Sequence, residues 1–135
     1  MGTSSIETVF PPVPASVAAA RRFLRAALGR SGADPILVDD ALLALSELVT
    51  NAVVHANTEF RVRVTVDAGV VRVDVLDSGD GRPCPQPGGA LDAGGRGLRI
   101  VDRVSDEWAI GEREDGSGVW FAMQPVRDGP RPEPG

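Results

Sequence analysis

Three short blocks of this sequence combine residue types that do chemistry with spacings a fold can exploit. In Glu47-Leu-Val-Thr-Asn51-Ala-Val-Val-His55 a carboxylate, an amide and an imidazole recur at i, i+4 and i+8, so on a helix they share one face. Asp77-Ser-Gly79-Asp-Gly81 sets a carboxylate at the end of an alternating run, at the parity of Val71, Val73 and Val75. An acid on the core side of a strand needs a partner or a ligand. Gly94-Gly95-Arg96-Gly97-Leu98 precedes a helical pattern. Free N–H groups at a helix start attract phosphate, and missing side chains let it approach. Taken singly, each block has an ordinary reading: solvated polar side chains on a helix, an Asp-Ser-Gly turn, a flexible glycine loop.

The elements that must position these blocks follow from the periodicity. Ile6 to Phe10 reads as an edge strand closed by Pro11 and Pro12. A first helix begins after Pro14, with Ser16 near its cap and Val17, Ala20, Leu24, Ala27 and Leu28 on its apolar face; Gly29 and Gly32 end it. A second helix starts at the N-cap Asp34 with Pro35 behind it and runs to about Ala56, with Asn57 as a left-handed C-terminal residue. Leu42, Leu45, Val49 and Ala52 form its apolar face, away from Glu47, Asn51 and His55. Phe60 to Val66 and Val71 to Val75 alternate as two strands around a hairpin loop at Asp67-Ala68-Gly69. Residues 78 to 97 hold seven of the 16 glycines and three of the 11 prolines, a long loop of the kind that serves as a lid. A short helix from Leu98 to about Val104 follows, then strands near Glu107–Gly111 and Gly118–Gln124. The expected organisation is an N-terminal segment 1–13 with an edge strand, a domain over 14–124, and a disordered proline-rich tail over 125–135.

Composition removes several chemistries. The chain has 135 residues, enough for one domain. All 14 basic residues are arginine, which excludes a P-loop with its phosphate lysine and a Schiff-base enzyme. One histidine and one cysteine, His55 and Cys84, cannot build a structural zinc site, and Cys84 alone fits a reducing compartment. The net charge of −5 argues against a broad nucleic-acid surface. No apolar run is long enough to cross a membrane, and the first ten residues lack the pattern of a signal peptide. A cytoplasmic protein with neither nucleic-acid nor membrane partners is expected.

In order and spacing together, the three blocks resemble the GHKL ATPases, whose nucleotide fold is shared by histidine kinases, gyrase B and MutL. The chain is most similar to the small anti-sigma-factor serine kinases of actinobacterial type, over about residues 10 to 124. Glu47 to His55 matches the N box, Asp77 to Gly81 the DxGxG box, and Gly95-Arg96-Gly97-Leu98 with Ile100-Val101 the second glycine box. The resemblance implies an α/β (α+β two-layer) sandwich of Bergerat type: a mixed, mostly antiparallel sheet covered on one face by helices, with a short lid over residues 82–93. It also implies ATP and Mg²⁺ as cofactors. Asn51 would hold the metal through its amide oxygen, as suits a cation that takes few protein ligands. Glu47 would be the general base. Asp77 would accept from the adenine amino group, Gly79 and Gly81 would admit the purine, and Gly94, Gly95, Arg96, Gly97 and Leu98 would receive the phosphates. His55 is read as a packing or capping residue, since the family's phosphoacceptor histidine sits in a separate helix.

Two departures stand out. Where many relatives carry Gly-Lys before the last strand, Gly116 is followed by Ser117, and the lid is short. Trp108 and Trp120 are read as packing residues. Arg21, Arg22 and Arg25 lie where relatives offer a helix to partners, and equally fit a solvated basic face. The implied function is an ATP–Mg²⁺-dependent protein serine kinase acting on a small anti-anti-sigma (STAS-type) protein. The alternative is an ATP-gated module that sequesters a sigma factor or other regulator without transferring phosphate; a decayed site is a third reading. Relatives often dimerise through the sheet edge and first helix, so the resemblance allows a homodimer, while the sequence itself does not fix the oligomeric state.

Overall fold

The computed structural model describes residues 4–56, 58–77, 95–113 and 116–124. Three helices lie on one face of a five-stranded sheet. The strands are β1 (Ser4–Phe10), β2 (Phe60–Asp67), β3 (Val70–Asp77), β4 (Glu107–Arg113) and β5 (Gly116–Met123). Their spatial order is β1-β2-β3-β5-β4. The expected mostly antiparallel sheet is antiparallel in all four pairings. The helices are α1 (Ala15–Arg30), α2 (Pro35–Asn51) and α3 (Gly95–Val104). Helix α2 lies between the other two and packs against both.

The alternation seen in the sequence decides which sheet face the helices cover. Phe60, Val62 and Val64 of β2, Val71, Val73 and Val75 of β3, and Phe121 and Met123 of β5 are buried in one core with Leu24 and Leu28 of α1 and Leu45, Leu48 and Val49 of α2. Phe10, on edge strand β1, stacks on Phe60 at 5.5 Å between centroids and meets Phe23 of α1 edge-on at 6.1 Å. Interlocked rings of this kind add to what their buried area alone contributes. The residues of opposite parity, Arg61, Arg63, Arg72 and Asp74 among them, fall on the uncovered face.

Several local expectations need correcting. Ser16 does not cap α1: the helix starts behind Pro14, and the buried Ser16 hydroxyl donates back to the Pro11 carbonyl at 2.7 Å. It ties the end of β1 to the helix instead of receiving a helix N–H. Helix α2 does begin at Asp34, whose carboxylate accepts from the Ile36 N–H at 2.8 Å. It does not continue to Ala56 as an α-helix, because Ala52–Ala56 is a π-helical turn. Helix α3 begins three residues earlier than expected, at Gly95. First-turn N–H groups have no intrahelical partner, so glycine's weak helix preference costs least there. The hairpin between β2 and β3 is the two-residue turn Ala68-Gly69, both at positive φ.

Candidate functional site

The site has to be built from α2, because that helix carries two of the chemistry-bearing residues and touches every neighbouring element that carries the others. Its apolar side, with Leu45, Leu48 and Val49, is pressed onto the sheet. One flank faces α1: Arg21 Nη1 donates to Ser46 Oγ at 2.5 Å and to the Leu42 carbonyl at 3.4 Å, and Ser46 Oγ donates to the same carbonyl at 2.7 Å. At about 100° per residue, Glu47 is turned about 100° and Asn51 about 140° around the axis from Ser46. They therefore occupy the flank away from α1, on the side of α3.

Glu47 and Asn51 are both half-buried. Neither side chain forms a hydrogen bond or ion pair among the described residues. Half-buried Arg21 and Ser46 and the buried Asp74, by contrast, are all engaged. A carboxylate and an amide one turn apart, partly withdrawn from water and without partners, can still accept a proton and ligate a hard cation. The π-helical turn begins immediately after Asn51. Such turns alter the phase of a helix and occur frequently at functional sites. His55 lies inside this turn, so the i, i+4, i+8 alignment inferred from α-helical spacing stops at Asn51.

Asp77 is the last residue of β3, in register with Phe60 on β2 and Ser117 on β5. It keeps the parity of Val71, Val73 and Val75, as the alternation implied. Gly95, Arg96, Gly97 and Leu98 form the first turn of α3, whose N–H groups lack intrahelical acceptors and lie at the positive end of the helix dipole. Helix α2 packs against both β3 and α3. Helix α2, which bears Glu47 and Asn51, is thus the shared neighbour of the strand that ends at Asp77 and the helix that starts at Gly95. Gly79, Gly81, Gly94 and the expected lid over 82–93 lie outside the described residues, as do Asn57 and the tail over 125–135. The far end of α3 is fixed: Val101 is buried, Trp108 Nε1 donates to Asp102 Oδ1 at 2.8 Å, and the Asp106 N–H donates to the Ala122 carbonyl at 2.9 Å.

The donor set suits a magnesium nucleotide. An uncommitted amide oxygen matches a hard cation that keeps most of its shell from water and phosphate, and a helix start rich in glycine matches an anion. Residues 10–123 match the family described as Histidine kinase-like ATPase domain. The chain belongs to that family.

Within it, the chain is 32% identical over 147 residues to a protein named Serine-protein kinase RsbW from Bacillus velezensis, an alignment covering 96% of this chain and 90% of the relative. Among solved structures, the RsbU and RsbW domains of Rv1364c from Mycobacterium tuberculosis superpose with a TM-score of 0.71 at 22% identity. That match covers 92% of this chain and 33% of the other, so this chain spans about a third of it. It establishes that the histidine kinase-like ATPase fold is shared.

Two features of this histidine kinase-like ATPase domain escape sequence reasoning. Arg21 belongs to no solvated basic face; it links α1 to α2 one residue before Glu47, whereas Arg22 and Arg25 are exposed. On the uncovered sheet face, Arg72 binds the buried Asp74 at 3.1 Å and lies 4.2 Å over the Trp120 ring. The i, i+2 spacing of Arg72 and Asp74 on one strand face was the available signal. Trp120 is accordingly a cation–π partner more than a core residue, while Trp108 packs against the core. Among the described residues, no group of three or more His, Cys, Asp or Glu is placed to hold a metal, and no helix is long and apolar enough to cross a membrane.

Proposed function

We propose that this chain is an ATP- and Mg²⁺-dependent protein serine kinase of the anti-sigma-factor type, acting on a seryl hydroxyl of a small anti-anti-sigma protein. The observation that carries the reading is the half-buried pair Glu47 and Asn51, without a partner among the described residues, on a helix that packs against both β3, which ends at Asp77, and α3, whose start is rich in glycine. The similarity to a named serine-protein kinase over almost its entire length supports it.

In this reading Glu47 accepts the proton of the attacking serine, while that oxygen forms a bond to the γ-phosphorus of ATP and ADP leaves. Asn51 contributes its amide oxygen to Mg²⁺, which when bound offsets charge on the phosphates. The Asp77 carboxylate accepts from the N6 amino group of adenine and disfavours guanine, whose oxygen would face another acceptor. Gly79 and Gly81 admit the purine. Gly94 and the first-turn N–H groups of Gly95, Arg96, Gly97 and Leu98 receive the phosphates. With no lysine in the chain, backbone dipoles, the metal and Arg96 do the neutralising.

The test is a titration of the pure protein with ATP and GTP, with and without Mg²⁺, alongside transfer of γ-phosphate to serine. Glu47→Ala should lower transfer by about 10²- to 10⁴-fold, the usual contribution of a general base, with ATP affinity nearly unchanged. Undiminished transfer in that variant would remove Glu47 from the mechanism. ATP-dependent partner capture without transfer, in the wild type, would make the chain a nucleotide-gated binding module.

A further inference from the structure

Among the described residues, the hydrogen bonds that join α1 to α2 all start at one side chain. Arg21 Nη1 donates to Ser46 Oγ at 2.5 Å and to the Leu42 carbonyl at 3.4 Å. The Ser46 hydroxyl donates to that same carbonyl, four residues earlier in the helix, at 2.7 Å. The Ser46 main-chain N–H has its α-helical acceptor there too. Three donors thus converge on an oxygen with two lone pairs. Back-bonding of a serine to the carbonyl at i−4 competes with the main-chain ladder and often bends a helix. The next residue is Glu47. One turn further on, after Asn51, the α-helix gives way to the π-helical turn. Glu47 and Asn51 therefore occupy a single regular turn between two irregular ones.

Apolar packing does not by itself fix how such a turn is rotated. Leu45, Leu48 and Val49 press α2 onto the sheet, but apolar attraction is non-directional. A hydrogen bond, by contrast, constrains an angle. Arg21 and Ser46 are both half-buried, and their bond grips α2 on the flank facing α1, turned about 100° from Glu47 and about 140° from Asn51. A rotation of about 10° around the helix axis moves a side-chain end at the rim of the helix by about 1 Å. A displacement of that size in a reacting group can cost on the order of 10²-fold in rate.

We infer that Arg21 is a positioning residue for phosphoryl transfer: through Ser46 it fixes the rotation of α2, and with it the place of the Glu47 carboxylate against the acceptor hydroxyl. The inference rests on the kinase reading above and adds to it a residue that touches none of the reacting groups. The role is mechanical. Arg21 holds the turn from behind, and Glu47 takes the proton.

The acceptor for the test is the protein labelled on serine when the wild-type chain and γ-labelled ATP are added to an extract of the source cells, then purified. Steady-state transfer to it is compared for wild type, Arg21→Met, Ser46→Ala and the double variant, with thermal melting and ATP affinity measured on each. Methionine keeps an unbranched apolar stem like that of arginine and removes its donors. Arg21→Met should lower kcat about tenfold or more, while KM for the acceptor and ATP affinity stay within about twofold. Ser46→Ala should act in the same direction. The double variant should be no slower than Arg21→Met alone, because the two residues work as one unit. Unchanged kcat in the folded variants overturns the assignment. A raised KM at unchanged kcat also overturns it and makes Arg21 a docking residue. Losses that simply add in the double variant, or that follow ATP affinity, overturn it as well. If Arg21→Met is unfolded at the assay temperature, Ser46→Ala decides by the same criteria. A wild type that binds ATP but labels no protein defeats the kinase reading itself, a result distinct from all of these.

Discussion

The two faces of the sheet hold the same five strands with opposite chemistry. Toward the helices, Phe60, Val62, Val64, Val73 and Phe121 are almost entirely shielded from water, and apolar burial does the work. Away from the helices, Glu7 on β1 pairs with Arg63 at 2.9 Å and Arg61 at 3.7 Å, and Arg72 holds Asp74 and covers Trp120. The contrast is sharpest within β3. Asp74 and Asp77 are three residues apart and of opposite parity. Asp74 is 2% exposed and committed to an arginine on its own strand, whereas Asp77, the last residue of β3, keeps the parity of Val71, Val73 and Val75. Opposite parity on one strand thus assigns the two carboxylates to different sheet faces.

The strongest way to break this comparison is to weaken the covered face. Phe121 is fully buried, in register with Val73 on one side and Trp108 on the other. Phe121→Ala should lower the unfolding free energy by about 3–5 kcal/mol, the usual sum of lost transfer energy and residual cavity. Urea denaturation would measure it. A cost below that of removing Asp74 would mean that the charged face, and not the apolar one, carries the fold.

The two aspartates then separate structure from function. Asp74→Ala strands the Arg72 guanidinium, but that side chain is 32% exposed and still has Trp120 and water. The expected loss is about 1.5–3 kcal/mol, the range for a hydrogen bond to a charged partner, with ATP binding by the folded protein unchanged. Asp77→Ala should do the reverse: ATP affinity at least tenfold weaker and the preference over GTP lost, with a much smaller change in stability. Equal effects of the two substitutions on nucleotide binding would erase the distinction.

Much of this division was legible in the sequence. The period-two runs of β2 and β3 give face and register together, because a one-residue slip would exchange apolar and charged faces. Asp34-Pro35 marks the start of α2 by a cap that needs no tertiary context. The order and spacing of the three polar and glycine-rich blocks point to the family by themselves. What stayed hidden depends on contacts between elements. Arg21 looks like its neighbours Arg22 and Arg25 until α2 is placed against it. Ser16 looks like a cap until β1 supplies the Pro11 carbonyl. The π-helical turn after Asn51 has neither a glycine nor a proline to announce it, so α-helical spacing carried His55 onto a face that the backbone does not extend.

The smallest expected effect concerns the turn that decides which face is which. Ala68 and Gly69 are the two central residues of the β2–β3 hairpin, with φ of 55° and 82°. Positive φ at both positions is the type I′ arrangement, whose twist matches that of the flanking strands. Gly69 adopts it freely, but the Ala68 Cβ is crowded there, and a left-handed L-residue costs roughly 1–2 kcal/mol. Asparagine tolerates this region far better and is the preferred first residue of such turns. Ala68→Asn should therefore stabilise the fold by about 0.5–1 kcal/mol, part of the strain being recovered, and leave nucleotide binding untouched at the distant end of β3. The measurement is the shift in urea midpoint at constant m-value. A loss of stability would mean that Ala68 is held by packing more than it is strained by its backbone. A gain would show that the register separating Asp74 from Asp77 is maintained by the pairing of whole strands, strongly enough to impose an unfavourable conformation on the turn that joins them.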